Sequence, residues 1–388
     1  MKYDFNKLAN RRNTDSYKWD VKDNELPMWV ADMDFLVFPD IVDALKKRVD
    51  IKAYGYSKIP EKYFESIKWW WKEYHNTEIE REWMIYCSGV VPAISSIVRR
   101  ITNVGDNVIV QSPVYNIFYN SIVNNQRVVL ENRLINNNNT YSIDFDDLEQ
   151  KMSLEKTTLM ILCNPQNPIG HIWSSEELYR ISTLAIKYNV RVISDEIHCD
   201  ITNPGEDYNS FIKSSKENKD VSITCVSASK VFNVAGLQAA CVIIPDEKLR
   251  QNIDRGFNND EIAEPNFFSM DACIAAFTPR GREWVNGLNE YIYNNKVYFV
   301  EQLAKTSPKL NPILGNATYL MWIDVSNYNM KSGLFASRLR ESTGLYVSSG
   351  EIYGGEGDKF IRINLATSLD NVKDACSRLE KFCIELDR

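Results

Sequence analysis

Residues 158–194 read TLMILCNPQNPIGHIWSSEELYRISTLAIKYNVRVIS, and this stretch decides the fold class. Thr158–Leu162 and Arg191–Ser194 are short, apolar and rich in β-formers, as buried strands are. Between them, Ser174 and Glu177 form an S-x-x-E capping box, and Leu178, Ile181, Ala185 and Tyr188 recur at helical spacing. A strand–helix–strand run of about thirty residues is the size of a βαβ crossover. Val108–Gln111, Ser222–Val226 and Ala239–Ile244 repeat the buried-strand pattern on either side. Several such units in series predict an α/β fold with a mostly parallel central sheet and helices on both faces.

The C-terminal third has a different texture. Tyr319–Val325 and Phe360–Leu365 alternate like strands, and Val372, Cys376, Leu379, Phe382 and Leu386 share one helical face, which predicts a smaller α+β domain. Asn136–Asn139 reads as a hairpin tip. Glu61–His75 reads as an amphipathic helix; Trp69, Trp70 and Trp71 cannot share one face of it, so some meet another element or another subunit.

The chain has 388 residues with 45 Lys+Arg against 52 Asp+Glu, a net charge of −7, which argues against a nucleic acid or anionic membrane partner. Met1–Asn13 has no apolar core of a secretory signal, and no segment reaches the roughly 18 consecutive apolar residues of a membrane span. Cys87, Cys163, Cys199, Cys225, Cys241, Cys273, Cys376 and Cys383 contain no C-x-x-C pair, so buried free thiols in a reducing cytoplasm are expected. His75, His171 and His198 are scattered, without a Cys partner in the pattern, and no metal site is expected.

Ligands of open parallel sheets bind beyond the carboxyl ends of the strands. Those ends carry Ser112-Pro113-Val114-Tyr115, Asn164-Pro165-Gln166-Asn167-Pro168-Ile169-Gly170, Asp195-Glu196-Ile197-His198 and Ser227-Ala228-Ser229-Lys230. Each has a plain alternative as a cap or a turn. Upstream, Ser88-Gly89-Val90-Val91 runs into the helical pattern Pro92–Ile101, and the free N–H groups of such a start suit a phosphate. A phosphate cradle, a lysine, a carboxylate and an aromatic ring are the parts that a pyridoxal phosphate enzyme needs.

At these residues the sequence resembles the fold-type I pyridoxal phosphate enzymes, and more narrowly the MalY/PatB-type cystathionine β-lyases (C–S lyases) within the class I/II aminotransferases. The resemblance runs along nearly the whole chain: P-M-W-V-A-D-M-D-F at 27–35, Y-G-Y-S at 54–57, S-G-V-V-P-A-I at 88–94, N-P-Q-N-P-I-G at 164–170, S-D-E-I-H at 194–198, S-A-S-K-V-F-N-V-A-G-L at 227–237 and F-I-R-I-N-L-A at 360–366. It implies that Lys230 forms the Schiff base, that Asp195 pairs with the pyridinium nitrogen, that Asn167 bonds the phenolic oxygen and that Tyr115 stacks on the ring. Ser227 and the N–H groups of Val90 and Val91 would hold the phosphate, and His198 would tune the phenolic side. Arg362 would clamp the substrate carboxylate, the backbone near Ala31 would line the pocket, and Tyr56 would come from the other subunit of a homodimer. Gln166, Val231 and Ala366-Thr367-Ser368 depart from the branch, which more often has His, Thr and a turn ending in Pro there. The domains implied are a large one at 46–285 and a small one built from 1–45 and 286–388.

The activity implied is α,β-elimination of cystathionine or related cysteine S-conjugates, with Tyr115 or Lys230 protonating the leaving thiolate. An aminotransferase shares the cofactor and the early steps. A third reading is a serine acyl-enzyme, from the S-x-x-K of Ser227–Lys230 with Tyr293-Asn294-Asn295 and Lys331-Ser332-Gly333. Some members of the lyase branch also restrain a transcription regulator by protein contact. The Trp69–Trp71 helix is the candidate patch for such a partner, and a subunit interface is its plainer use.

Overall fold

The computed structural model describes residues 3–388; Met1 and Lys2, which open the N-terminal stretch read above, lie outside the described residues. Seven strands form the main sheet: β1 Met84–Cys87, β2 Asn107–Val110, β3 Val128–Glu131, β4 Thr157–Cys163, β5 Arg191–Asp195, β6 Ser222–Val226 and β7 Ala240–Ile243. Their spatial order is β1-β7-β6-β5-β4-β2-β3. Strands β3, β2, β4, β5 and β6 pair in parallel, whereas β7 runs antiparallel to both β6 and β1. The sheet is thus mixed and mostly parallel. A run of apolar residues reads the same in both directions, so the sequence yields the strand at Ala240–Ile243 but not its reversal.

The predicted crossover helix spans Ser175–Lys187. Ser174 accepts from the Glu177 N–H while the Glu177 carboxylate accepts from the Ser174 N–H, so both halves of the capping box form. Leu178, Ile181 and Ala185 are buried against the sheet. The register sets Cys163 beside Asp195 and Asp195 beside Cys225, which brings the carboxyl ends of β4, β5 and β6 to one edge.

A second, wholly antiparallel sheet has the order β8-β9-β11-β10, with β8 Asn311–Ile313, β9 Leu320–Asp324, β10 Ser348–Ser349 and β11 Phe360–Asn364. The Leu369–Leu386 helix closes its core with Val372, Cys376, Leu379 and Phe382. Leu26 and Met28 join the same core from the other end of the chain, and Leu26–Pro27 pairs in parallel with Leu345–Tyr346. Residues 135–142 are the expected hairpin, with Asn138 and Asn139 left-handed at its tip.

The helix at Glu61–His75 forms as predicted, but its tryptophans are not a surface patch. Trp70 and Trp71 are buried in this chain's own core and Trp69 is half-buried, so the subunit or regulator interface expected there does not hold for Trp70 and Trp71. Trp70 stacks on Tyr74 and gives its indole N–H to Asp200 at 2.7 Å. His75 meets the same Asp200 oxygen at 2.8 Å, with Cys199 close by, so His75 does stand in a group that its spacing concealed. All eight cysteines are buried and free. Among the described residues no helix is long and apolar enough to cross a membrane.

Candidate active site

The carboxyl ends of the parallel strands open onto one cavity of about 270 Å³, lined among others by Ala31, Val90, Tyr115, Asn167, His198 and Lys230. Val91 and Asp195 also face it. Each is delivered by a local device. Asp195 ends β5, and its Oδ1 accepts the Ile197 N–H at 3.2 Å. Its neighbour Glu196 points away and is consumed by Ser194 Oγ, Ser210 Oγ and the Phe211 N–H, so only one carboxylate of the pair serves the cavity. Asn167 sits in the turn after β4, which is closed by Gly170 N–H to Gln166 O at 2.8 Å. Gly170 is required there: its φ is +69°, and a Cβ would lie 2.7 Å from the Ala317 carbonyl oxygen. The helix Val90–Ile101 starts at Gly89 with no side chain capping it, leaving first-turn N–H groups free at the cavity.

Lys230 is half-buried, and its Nζ donates to Ala31 O at 2.7 Å. The same carbonyl accepts the Tyr319 hydroxyl at 3.0 Å. Arg362, buried on β11, donates from Nη1 to Asn167 Oδ1 at 3.1 Å and from Nη2 to Trp29 O at 3.0 Å. Its guanidinium lies 4.9 Å from the Tyr353 ring centre, and its Nε is buried with no acceptor. Arg362 thus reaches the cavity through Asn167 and keeps one cationic N–H unspent, and a planar guanidinium meets a carboxylate with two parallel bonds. Along this strand Ile361, Ile363 and Leu365 enter the small-sheet core, while Arg362 turns to Asn167 and Trp29.

Burial governs the electrostatics. Removal from water lifts Asp195 from 3.8 to about 7. It lowers Lys230 to about 8, against the opposing pull of the Asp32 carboxylate and with the Arg362 charge adding to the fall. His198 is pushed down to about 3 by burial and then by the charges of Lys230 and Arg362, so it is neutral; its Nδ1 has no partner. Tyr115 is pushed up to about 12 by burial and stays protonated. A lysine pushed down and an aspartate pushed up, both by desolvation, define a site prepared for a charged aromatic group.

Ser227 does not line the cavity. Its Oγ is tied to Ser229 Oγ and Ala239 O, both at 2.6 Å, and it is Ser229, with Ser88 and Gln238, that reaches the space beside Val90 and Val91. The same bonds, with Lys230 on Ala31 O, leave no Ser–Lys contact of the kind an S-x-x-K acyl-enzyme requires. Tyr56 is fully exposed and contributes nothing to its own chain's cavity. Ser229 could have been read from its place one residue before the lysine, and Ser88 from its place just before the Val90 helix start; Tyr319 and Gln238 carried no separable signal.

Fold and site together define a pyridoxal-phosphate type of pocket: a bare helix start, a lysine and an aspartate on one cavity, and an arginine bonded to its Asn167. The chain belongs to the aminotransferase class I and II family, which matches residues 25–379. It is 37% identical over 383 residues to the cystathionine beta-lyase PatB of Bacillus subtilis, covering 97% of this chain and 98% of that protein. Among solved structures it is similar to a PLP-bound putative aminotransferase from Clostridium difficile, with 36% identity, a TM-score of 0.95, and 98% and 100% of the two chains covered. The PLP-bound C–S lyase of Staphylococcus hominis is also similar, at 30% identity and a TM-score of 0.93 over 99% and 98% of the chains.

Proposed function

We propose that this chain is a pyridoxal-phosphate-dependent carbon–sulfur β-lyase that cleaves cystathionine or a related cysteine S-conjugate to a thiol, pyruvate and ammonia. The observation that carries the reading is the single cavity on which Lys230, Asp195, Asn167, Tyr115, His198 and a bare helix start converge, with Arg362 held against Asn167. The relatives named above supply the sulfur chemistry. Bound cofactor supplies an electron sink for the pair released at the substrate's Cα.

Arg362 grips the substrate carboxylate, using the Nε–H that no protein atom satisfies, and so fixes Cα. Lys230, once its amine is free of the cofactor, takes the α-proton; a value near 8 leaves it partly neutral at working pH, as a general base needs. Asp195, ionised, would hold a ring nitrogen in its protonated form. Asn167 would serve the phenolic oxygen, neutral His198 would add no charge near it, and Tyr115 would stack on the ring. Ser229 and the N–H groups of Val90 and Val91 serve the phosphate, with Ser227 bracing Ser229 from behind. Cleavage of the Cβ–S bond expels a thiolate, a good leaving group with a thiol pKa of about 8.5, and Tyr115 or Lys230 returns a proton to sulfur. One water is consumed as the remaining three-carbon fragment gives pyruvate and ammonia.

The same reading makes the protein a cytoplasmic homodimer with Tyr56 completing the neighbour's site; its complete exposure supports this. The shared core of Leu26 and Met28 with Phe299 and Phe382 supports a small domain drawn from 1–45 and 286–388 beside a large one at 46–285. The test is pyruvate release from cystathionine with no keto acid present, abolished by Lys230→Ala. A strict keto-acid requirement would make the chain an aminotransferase instead.

A further inference from the structure

Lys296 lies on the long Pro279–Thr306 helix and is wholly buried, yet it has no carboxylate as an ion-pair partner among the described residues. Its Nζ instead reaches four neutral oxygens: Asn203 Oδ1 at 3.0 Å, Gly315 O at 2.8 Å, Ala317 O at 3.4 Å and Thr318 O at 3.5 Å. Burial lowers it to about 7, with Glu206 the carboxylate that opposes the fall. A lone buried ammonium is costly unless its N–H groups replace water in full, and here the acceptors resemble those of a bound cation rather than a salt bridge.

The oxygens belong to a junction of three loops. Residues 313–319 are stitched to the Asn167 turn by Ala317 N–H to Gly170 O at 2.8 Å, and Ile172 N–H donates to Asn316 Oδ1 at 3.0 Å. The same residues meet the segment after β5 through Thr318 N–H to Ile201 O and Asn203 N–H to Asn316 O, both at 2.8 Å. Thr318 is left-handed at φ +60°, a conformation that a β-branched residue holds only under constraint. From this junction emerge Asn167, His198 and Tyr319, and each reaches the active site: Asn167 carries Arg362, Tyr319 shares Ala31 O with Lys230, and the His198 ring lies edge-on to Tyr319 at 5.8 Å.

We propose that Lys296 is a positioning residue: its Nζ acts as a tethered donor, gathering the carbonyls of residues 315–318 with Asn203 so that Asn167, His198 and Tyr319 are set for cofactor and substrate. The proposal rests on the cofactor reading above and not on the identity of the sulfur substrate. Nothing in the catalytic steps uses Lys296, and it touches no cavity atom.

The test uses the full-length enzyme loaded with pyridoxal phosphate. The visible band of the bound cofactor is titrated from pH 5.5 to 10, without substrate, in the parent, Lys296→Met, Asn203→Ala and Asn203→Asp, and KM and kcat are measured alongside. Loosening Asn167 weakens a donor to the cofactor's phenolic oxygen, which then holds its neighbouring proton more tightly. Lys296→Met and Asn203→Ala are therefore expected to move the midpoint up by about half a pH unit or more, roughly threefold. KM should rise by at least about threefold with kcat less affected, because Arg362 leans on Asn167. Asn203→Asp keeps an acceptor for Nζ but loses the Nδ2 donation to Gly315 O at 2.9 Å, so its midpoint should lie between those of the parent and Asn203→Ala. Lowered thermal stability with an unmoved midpoint and unmoved KM in both neutral variants would reduce Lys296 to a structural residue and overturn the proposal. If Lys296→Met does not fold, the Asn203 pair decides: an unmoved midpoint in Asn203→Ala, or equal shifts in both Asn203 variants, overturns it. Failure of the parent to release pyruvate removes the lyase reading and leaves this titration intact.

Discussion

Asp195→Asn separates what the pocket costs the empty protein from what it contributes to the loaded one. Burial raises Asp195 from 3.8 to about 7. Between those values the unfolded chain has lost the proton while the folded chain keeps it, so the folded state binds more protons and stability falls as pH rises, levelling above about pH 7. At about 1.4 kcal/mol per pH unit the penalty is roughly 2 kcal/mol at pH 5.5 and roughly 4 kcal/mol at pH 8. Asparagine has the same shape, no charge, and an oxygen that still accepts the Ile197 N–H. Cofactor-free Asp195→Asn should therefore be more stable than the parent, by a margin that widens from about 2 to about 4 kcal/mol between pH 5.5 and 8. Loading narrows that margin. The carboxylate then meets a cationic ring nitrogen, and replacing that charged bond by a neutral one should weaken cofactor binding by at least about tenfold. Urea unfolding followed by tryptophan fluorescence at the two pH values, with and without cofactor, measures both. A margin that does not change with pH would refute the reasoning, because a burial penalty on ionisation must follow the proton.

Three further outcomes follow from the geometry. Arg362→Lys leaves a single point charge where Nη1, Nη2 and Nε serve Asn167, Trp29 O and the substrate, so steady-state kinetics should show KM raised by about 30-fold or more, with kcat changed less. Trp70→Phe removes a donor from the buried Asp200 and should cost about 1–3 kcal/mol in urea unfolding, with the cofactor's visible spectrum unchanged. Ser174→Ala breaks the capping box of an exposed helix start and should cost about 1 kcal/mol, read as a lower urea midpoint at constant slope.

How far the sequence reached depends on the range of each interaction. Strand β6 and the Glu61–His75 helix were legible to the residue, because apolar period and cap chemistry are local. Lys230, Asp195, Asn167 and Tyr115 were legible because strand ends are marked by where apolar runs stop. The direction of β7 was not, since a short apolar strand has no intrinsic polarity. Trp70 and Asp200 lie 130 residues apart, and nothing in either segment announces the other. Exchange of Ser227 for Ser229 at the cavity wall is a matter of which way one turn rolls, a choice settled by the Ala239 carbonyl and not by composition.

The carbonyls of Trp29 and Ala31 serve residues far along the chain: Lys230 lies 199 residues beyond Ala31, and Arg362 lies 333 beyond Trp29. On the ribosome these two acceptors are made early and wait, while the phosphate cradle, the aspartate and the lysine emerge in turn. The arginine comes last. A chain interrupted between Lys230 and Arg362 also lacks the Pro279–Thr306 helix, whose Trp284 and Leu288 pack the main core, so the two early carbonyls meet their last partner only when the far end of the chain has folded onto the near one.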